Sequence, residues 1–362
     1  MKKTYTYTLF IALALLVAAA IAGIGLSSPI SGPLLIAGLL LLAFALRGSE
    51  KAKGYSYSVV IFSSVAAAMY YPAPFQQIGD FKLGTLIVPL LQIIMFGMGT
   101  SMSIKDFEGV VKMPKGVGVG LLCQFTIMPL LGFGIAKLFN FPSEIAAGII
   151  LIGSAPSGLA SNVMAYLAKA NVALSVTMTA VATMLAPLMT PLWMKLLAGQ
   201  YVPIEFWGMM WSIVKIVIIP IIGGLIFNKL FHGKAPWVDR AMPLLSMAGI
   251  AIIISIITAS GRDALLTYGV ILVFAALLHN TAGYFLGYKL CKAIKLPERD
   301  CRTIAFEVGM QNGGLASGIA QGMGKVATMG LGPSVFGSLM NITGSILANW
   351  WRDKPTGEED PK

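Results

Sequence analysis

Glu307-Val308-Gly309-Met310-Gln311-Asn312-Gly313-Gly314-Leu315-Ala316-Ser317 sets one carboxylate, two amides and three glycines inside an otherwise apolar stretch. A counterpart lies far upstream, at Ala155-Pro156-Ser157-Gly158-Leu159-Ala160-Ser161-Asn162. Neither suits an unbroken helix, because proline lacks an N–H and glycine disfavours helix. Each follows a proline-led start at a similar spacing. Pro142-Ser143-Glu144 begins 15 residues before Ser157, and Pro297-Glu298-Arg299 begins 16 residues before Gly313.

What surrounds these breaks fixes the class. Only 11% of the 362 residues are charged and mean hydropathy is +0.81, whereas soluble domains carry about a quarter charged residues. Twelve apolar segments are expected, at 8–26, 32–46, 56–72, 84–101, 115–138, 143–168, 171–198, 206–228, 241–259, 266–290, 299–324 and 329–351. Most approach the roughly 20 residues that a spanning helix needs. Lys2 and Lys3 precede the first segment, whose apolar stretch is long for a cleaved leader, so it is expected to remain as a helix.

The formal charge of +11 could suggest nucleic acid, but 20 of the 26 basic residues fall in alternate loops. Lys82, Lys137, Lys195, Arg262 and Lys325 fall on the other side, and Lys215 lies within a segment. That is the positive-inside pattern, with both termini cytoplasmic and no nucleic-acid partner. Cys123, Cys291 and Cys301 show no paired spacing, and His232 and His279 stand apart, so neither a disulfide framework nor a metal cluster is indicated. The tail Arg352–Lys362 is short and polar and is expected to be disordered.

The two breaks each occupy the fourth position of a five-segment block. Five crossings reverse the chain, so the second block enters from the opposite face. Inverted repeats with Gly/Pro-interrupted segments point to a transporter with its site at the midplane. Broken backbone at that depth is tolerated only within protein or beside a wet cavity. Half-helix N-termini favour anions, and unwound carbonyls favour cations. Packing glycines between helices are the alternative reading.

Glu307 is the sole acid deep inside an expected span, with Arg302 the nearest basic residue, closer to the segment end. A buried carboxylate normally has a partner or a function. Its flanking amides and loosened backbone make hard oxygen ligands, suited to a small hard cation. A protonated, hydrogen-bonded glutamate and a proton-carrying one remain open on these residues alone. Ser161-Asn162, Ser175 with Thr179 four residues on, and Gln124 could complete a site; each alone serves equally as an interhelical hydrogen bond. Lys215 can snorkel, and His279-Asn280 reads as helix packing.

At these residues the chain resembles the bile acid:sodium symporter family, as a bacterial member. The likeness covers roughly residues 55–351 and rests on Gln124 to Pro129, Ser161 to Ser175 and Glu307 to Ser317. It implies an all-α polytopic membrane protein with ten core helices in two inverted five-helix repeats, forming panel and core domains with crossing discontinuous helices. The first repeat would span 55–200 and the second 201–351, with two additional helices in 1–54 and a tail at 352–362. It implies one sodium site from Ser161, Asn162, Ser175, Thr179 and Glu307. A second would use Gln124, Glu307, Gln311 and the carbonyls of Val308 and Met310. Substrate would lie by Asn312, Gly158, Leu159 and Asn341.

The resemblance further implies an inner-membrane symporter of a small organic anion, bile-acid-like or pantoate-like. Sodium ions would be its coupling ions, and no organic cofactor is called for. Three departures stand out: the two extra helices, Leu159 where relatives often carry threonine, and Met340 before Asn341 where they often carry histidine. Small carboxylates therefore suit the chain better than bile acids. A proton-coupled carrier or antiporter using Glu307, and a non-transporting sensor, are the competing functions. An enzyme would need a nucleophile–base pair or metal cluster that the spans do not show.

Overall fold

Backbone polar groups inside a bilayer have no water to bond, so the apolar segments must close their hydrogen bonds within protein. In the computed structural model, which describes residues 3–24, 29–49, 52–231 and 236–356, they do so as helices, beside one small two-stranded hairpin. The first five are α1 (Lys3–Ile24), α2 (Ser31–Leu46), α3 (Ser56–Tyr70), α4 (Ile87–Ser101) and α5 (Pro114–Leu138). Next come α6 (Ser143–Ser154), α7 (Ala160–Leu167), α8 (Val172–Trp193), α9 (Phe206–Ile213) and α10 (Ile219–Phe231). The last five are α11 (Pro236–Ser260), α12 (Arg262–Ala293), α13 (Glu298–Gly309), α14 (Gly313–Gly322) and α15 (Leu331–Arg352). Lys2, Lys51, His232, Lys234 and the tail beyond Thr356 lie outside the described residues.

Each of the twelve expected segments meets one helix or two helices in series, and eight spans are long and apolar enough to cross a membrane by length and composition. The protein is therefore all-α and polytopic. The segments at 143–168 and 299–324 break where their Pro/Gly sequences say they should. Elsewhere proline is absorbed without a break. A π turn at Met194–Ala198 follows Pro191, and another at Val214–Ile218 precedes Pro220. A missing N–H leaves the carbonyl four residues earlier unpaired, and for Pro220 that carbonyl, of Ile216, lies within the widened turn.

Packing divides among the helices. α2 lies between α1 and α3, where Ser56 Oγ donates to Ala43 O at 2.7 Å and Ser63 Oγ donates to Ile36 O at 3.2 Å. The additional N-terminal pair thus attaches chiefly through α3. α3 and α4 pack on α11, and α4 packs on α10. A second group joins α5 to α6 and α12, α12 to α13 and α15, and α6 to α15. α13 is the least apolar of these, yet Cys301–Gly309 are all buried, so its polar side chains point into protein.

The tail departs from the expectation of disorder in its described part. Arg302 donates to the carbonyls of Lys354 at 3.3 Å and Pro355 at 2.9 Å, as well as Trp351 and Ala168, and Glu298 neutralises it at 3.0 Å. A buried guanidinium needs its five donors met, and the chain end supplies carbonyls for them.

α4 and α10 touch backbone to backbone. A Cβ on Gly224 would stand 2.2 Å from Phe96 O, and one on Gly99 would stand 2.3 Å from Ile221 O. Small residues permit such approach in membranes. Gly224→Ala should destabilise the protein by about 1–3 kcal/mol, read as a lowered melting temperature. Gly118→Ala, whose Cβ meets nothing within 4 Å, should leave melting unchanged or raise it slightly.

Candidate cation and anion sites at the helix crossing

The two breaks pair with each other. Gly158 N–H donates to Met310 O at 3.0 Å and Asn312 N–H donates to Pro156 O at 2.8 Å, forming an antiparallel bridge centred on Ser157 and Gln311. Side chains from neighbouring helices take further exposed carbonyls. Gln124 of α5 donates to Ala155 O at 3.0 Å, Thr190 of α8 to Ser154 O at 2.8 Å, and Asn280 of α12 to Gly309 O at 2.7 Å. Gly158 sits where a Cβ would press Gln311 O at 3.0 Å. The crossing is thus a backbone contact, stabilised by the amides and hydroxyl around it.

Glu307 lies one turn before this bridge and is fully buried. α13 is registered against α8 by Asn171, which caps α8 at Leu174 N–H (3.1 Å) and donates to Asp300 (2.8 Å), while Thr303 donates to Asn171 O (2.9 Å). That places the carboxylate among oxygens. Ser161 Oγ is 2.5 Å and Ser175 Oγ 2.6 Å from Oε1, and Thr179 Oγ1 is 2.9 Å from Oε2.

Ser161 Oγ is also 2.8 Å from Gly158 O, and Asn162 Oδ1 lies 2.7 Å from Ser175 Oγ and 3.2 Å from Thr179 Oγ1. Each hydroxyl has a single proton and cannot serve both of its acceptors at full strength. With the carboxylate ionised, lone pairs outnumber protons in this buried site, an arrangement that a bound cation, or a proton on Glu307 itself, relieves. Among the described residues no basic side chain pairs with Glu307; Arg302 is held at the other end of α13 by Glu298 and the tail carbonyls.

The second set assembles only in part. Gln124 and Gln311, both fully buried, share an amide hydrogen bond of 2.8 Å, and Gln311 Nε2 donates to Val308 O at 2.6 Å. Met310 O already accepts from Gly158 N–H. Nitrogen, not oxygen, thus faces the Val308 carbonyl.

On the far side of the bridge, Gly158, Leu159, Asn312 and Asn341 line one cavity of about 150 Å³, together with Tyr57 and Ser317. α7 and α14 both begin here. Asn312 Oδ1 caps α14 at Leu315 N–H (3.0 Å), and among the described residues its amide nitrogen has no partner, nor have the N–H groups of Leu159, Ala160 and Gly314. Among the described residues no charged side chain lines the cavity. Two helix N-termini and an amide N–H₂ are its positive features, which suits a small anion.

Other candidates separate from the site. Lys215 is exposed on α9–α10's π turn, on the same side as Trp211, Ile219 and Ile222. His279 bonds Met128 O at 2.9 Å as helix packing, but its neighbour Asn280 does more than pack, since it holds a carbonyl of the break. The three cysteines are free and buried, and no cluster of metal-ligating side chains occurs among the described residues. Sequence reasoning missed Ser157 as a site residue. Its buried hydroxyl lies beside the Glu307 carboxylate and has no hydrogen-bond partner in good geometry among the described residues. Its place in the broken segment was a signal; which way it faces was not. Tyr57, from α3, had no sequence signal at all.

Comparison with known proteins is consistent with this geometry. Residues 88–268 match the model of the sodium bile acid symporter family. An uncharacterized sodium-dependent transporter of Bacillus subtilis is 38% identical over 302 residues, covering 83% of this chain and 92% of that protein. A probable chloroplastic sodium/metabolite cotransporter of Oryza sativa subsp. japonica is 34% identical over 84% of this chain and 74% of its own length. The ileal sodium/bile acid cotransporter of Homo sapiens is 34% identical over 71% of this chain and 75% of its own length.

Asn280→Ala should leave Gly309 O unbonded and cost about 1–2 kcal/mol, within the range for hydrogen bonds in membrane interiors. The check is a melting curve, with hydrogen exchange at residues 309–313 rising in the variant. Unchanged exchange would show that Asn280 does not hold the break.

Proposed function

The chain belongs to the sodium bile acid symporter family, a family of transporters rather than enzymes, and from that premise we propose sodium-coupled symport of a small organic anion by alternating access. The observation that carries the reading is the proton-poor oxygen shell around Glu307. Sodium is a small hard cation that accepts carboxylate, hydroxyl and amide oxygens, by the logic that governs other hard ions. Ser161, Asn162, Ser175, Thr179 and Glu307 are assigned as its first site. The unpartnered Ser157 hydroxyl is well placed to add to it.

A second sodium is assigned to Gln124, Glu307, Gln311 and the carbonyls of Val308 and Met310. It requires the Gln311 amide to turn so that oxygen rather than nitrogen faces Val308 O. Cations on either side of one carboxylate keep it ionised despite burial. Because Gln311 lies on the bridge and Gln124 bonds it and Ala155 O, ion binding would fix Gly158 and Asn312 and thereby aim the N–H groups of Leu159, Ala160 and Gly314 at the anion. Asn312, Gly158, Leu159 and Asn341 are the assigned substrate contacts. A cavity without a cationic side chain and of modest volume favours a pantoate-like carboxylate over a bulky steroid acid.

The movement is assigned to a panel built on α3, α4 and α9–α11 against a core built on α5–α8 and α12–α15. The boundaries proposed are 55–200 and 201–351 for the two inverted repeats, with 1–54 attached to the panel. Both breaks belong to the core, so ions and substrate would travel with it. The distribution of basic residues supports cytoplasmic termini in a bacterial inner membrane.

Sodium should raise the melting temperature relative to potassium at equal ionic strength. A ligand at a hundredfold excess over its Kd contributes about 2.7 kcal/mol. Glu307→Ala should abolish the difference while still folding. Equal melting of the wild type in both salts, with melting that follows pH instead, would replace sodium by the proton as coupling ion.

A further inference from the structure

A groove of about 700 Å³ runs between α12 and α15, with Tyr284, Phe285, Tyr288, Thr343, Ile346 and Trp350 along it. Phe285, Ile346 and Trp350 are each more than half exposed. The helical rise puts Thr281 about 12 Å from Lys289, and Thr343 about 12 Å from Trp351. Along that length the lining changes from aliphatic and hydroxyl side chains to aromatic rings and cations. Lys354 Nζ stands 3.3 Å from the Trp350 ring centre, and Lys289 Nζ stands 5.7 Å from that of Phe285.

Among the described residues the charges at the cationic end do not cancel. Glu298 is taken by Lys292 and Arg302, and Asp353 lies beside Arg352. Among the described residues Lys289 and Lys354 have no acidic partner. Trp and Lys at a helix end mark the level of lipid headgroups. Apolar depth, an aromatic collar and two uncancelled lysines together have the polarity profile of one phospholipid with a negative headgroup.

The groove floor leads to the crossing. Tyr284 OH bonds Met340 O at 3.3 Å, Thr343 Oγ1 donates to Asn280 Oδ1 at 2.5 Å, and Asn280 donates to Gly309 O. A Cβ on Gly309 would stand 2.1 Å from the Tyr284 ring, so ring and break are in direct contact.

We propose that this groove binds an anionic phospholipid, its acyl chain along Tyr284 and Ile346 and its phosphate between Lys289 and Lys354, and that the lipid steadies the broken helix through Tyr284 and Asn280. The site is separate from the ion and substrate cavity and does not depend on which ion is coupled. It gives transport activity a dependence on the lipid around the protein.

The test is native mass spectrometry of the purified full chain with phosphatidylglycerol or phosphatidylcholine added, alongside hydrogen exchange. Phosphatidylglycerol should be retained over phosphatidylcholine, with a loss of roughly fivefold for each lysine removed. In Lys289→Ala/Lys354→Ala the preference should vanish with melting unchanged. Trp350→Ala should weaken both lipids alike. Phosphatidylglycerol should also slow exchange at residues 309–313 in wild type but not in the double variant. Equal retention of the two lipids, or a preference that survives the double substitution, overturns the proposal. So does a dimer that forms across this face and excludes either lipid.

Discussion

Two peptide hydrogen bonds, Gly158 to Met310 and Asn312 to Pro156, are the contact on which the rest of the structure depends. At membrane depth an interrupted helix must return its freed N–H and C=O groups to protein. Here two interruptions return them to each other, and Gln124, Thr190 and Asn280 take further carbonyls. The arrangement sets what the surrounding helices can be. α5, α8 and α12 must each bring a polar side chain to one level, and glycine must stand at 158 and 309 so that backbone and ring can approach.

The same bridge separates two sets of groups of opposite sign. On one side stand Glu307 and its hydroxyls, rich in lone pairs; on the other stand N–H groups at the starts of α7 and α14. α7 contributes to both, with Ser161 bonding the carboxylate, Asn162 accepting from Ser175 and Thr179, and Ala160 at the cavity beside Leu159, which precedes the helix. On the proposed reading this sharing is the coupling device. A cation that orders the first turn of α7 also orders the donors for the anion, so binding of each favours the other by the same free energy.

The sequence made the fold legible because its strongest signals are simple: apolar length, alternating basic loops and two Pro/Gly-broken segments. The breaks appear at Ser154–Ala160 and Gly309–Gly313 because Pro156 and the glycines act locally on the backbone. The Glu307 cluster was legible for a different reason. Ser175 and Thr179 are four residues apart and share a helix face, and the family likeness supplied their partner. Ser157, Asn280 and Tyr57 were not legible as site residues, since their roles depend on which way a side chain turns after three or four helices have packed. The ordered part of the tail escaped for the same reason. Its partner, Arg302, lies some fifty residues earlier in the chain.

Infrared difference spectroscopy of Glu307 tests the central claim most directly. Spectra of the purified protein would be taken in sodium and in potassium, with Glu307→Gln isolating the contribution of this side chain. If the oxygen shell is a cation site, adding sodium should produce carboxylate bands at the expense of a carboxylic acid band, and the variant should lack both. A carboxylic acid band that persists in saturating sodium and responds only to pH would contradict it, and would make Glu307 a proton carrier.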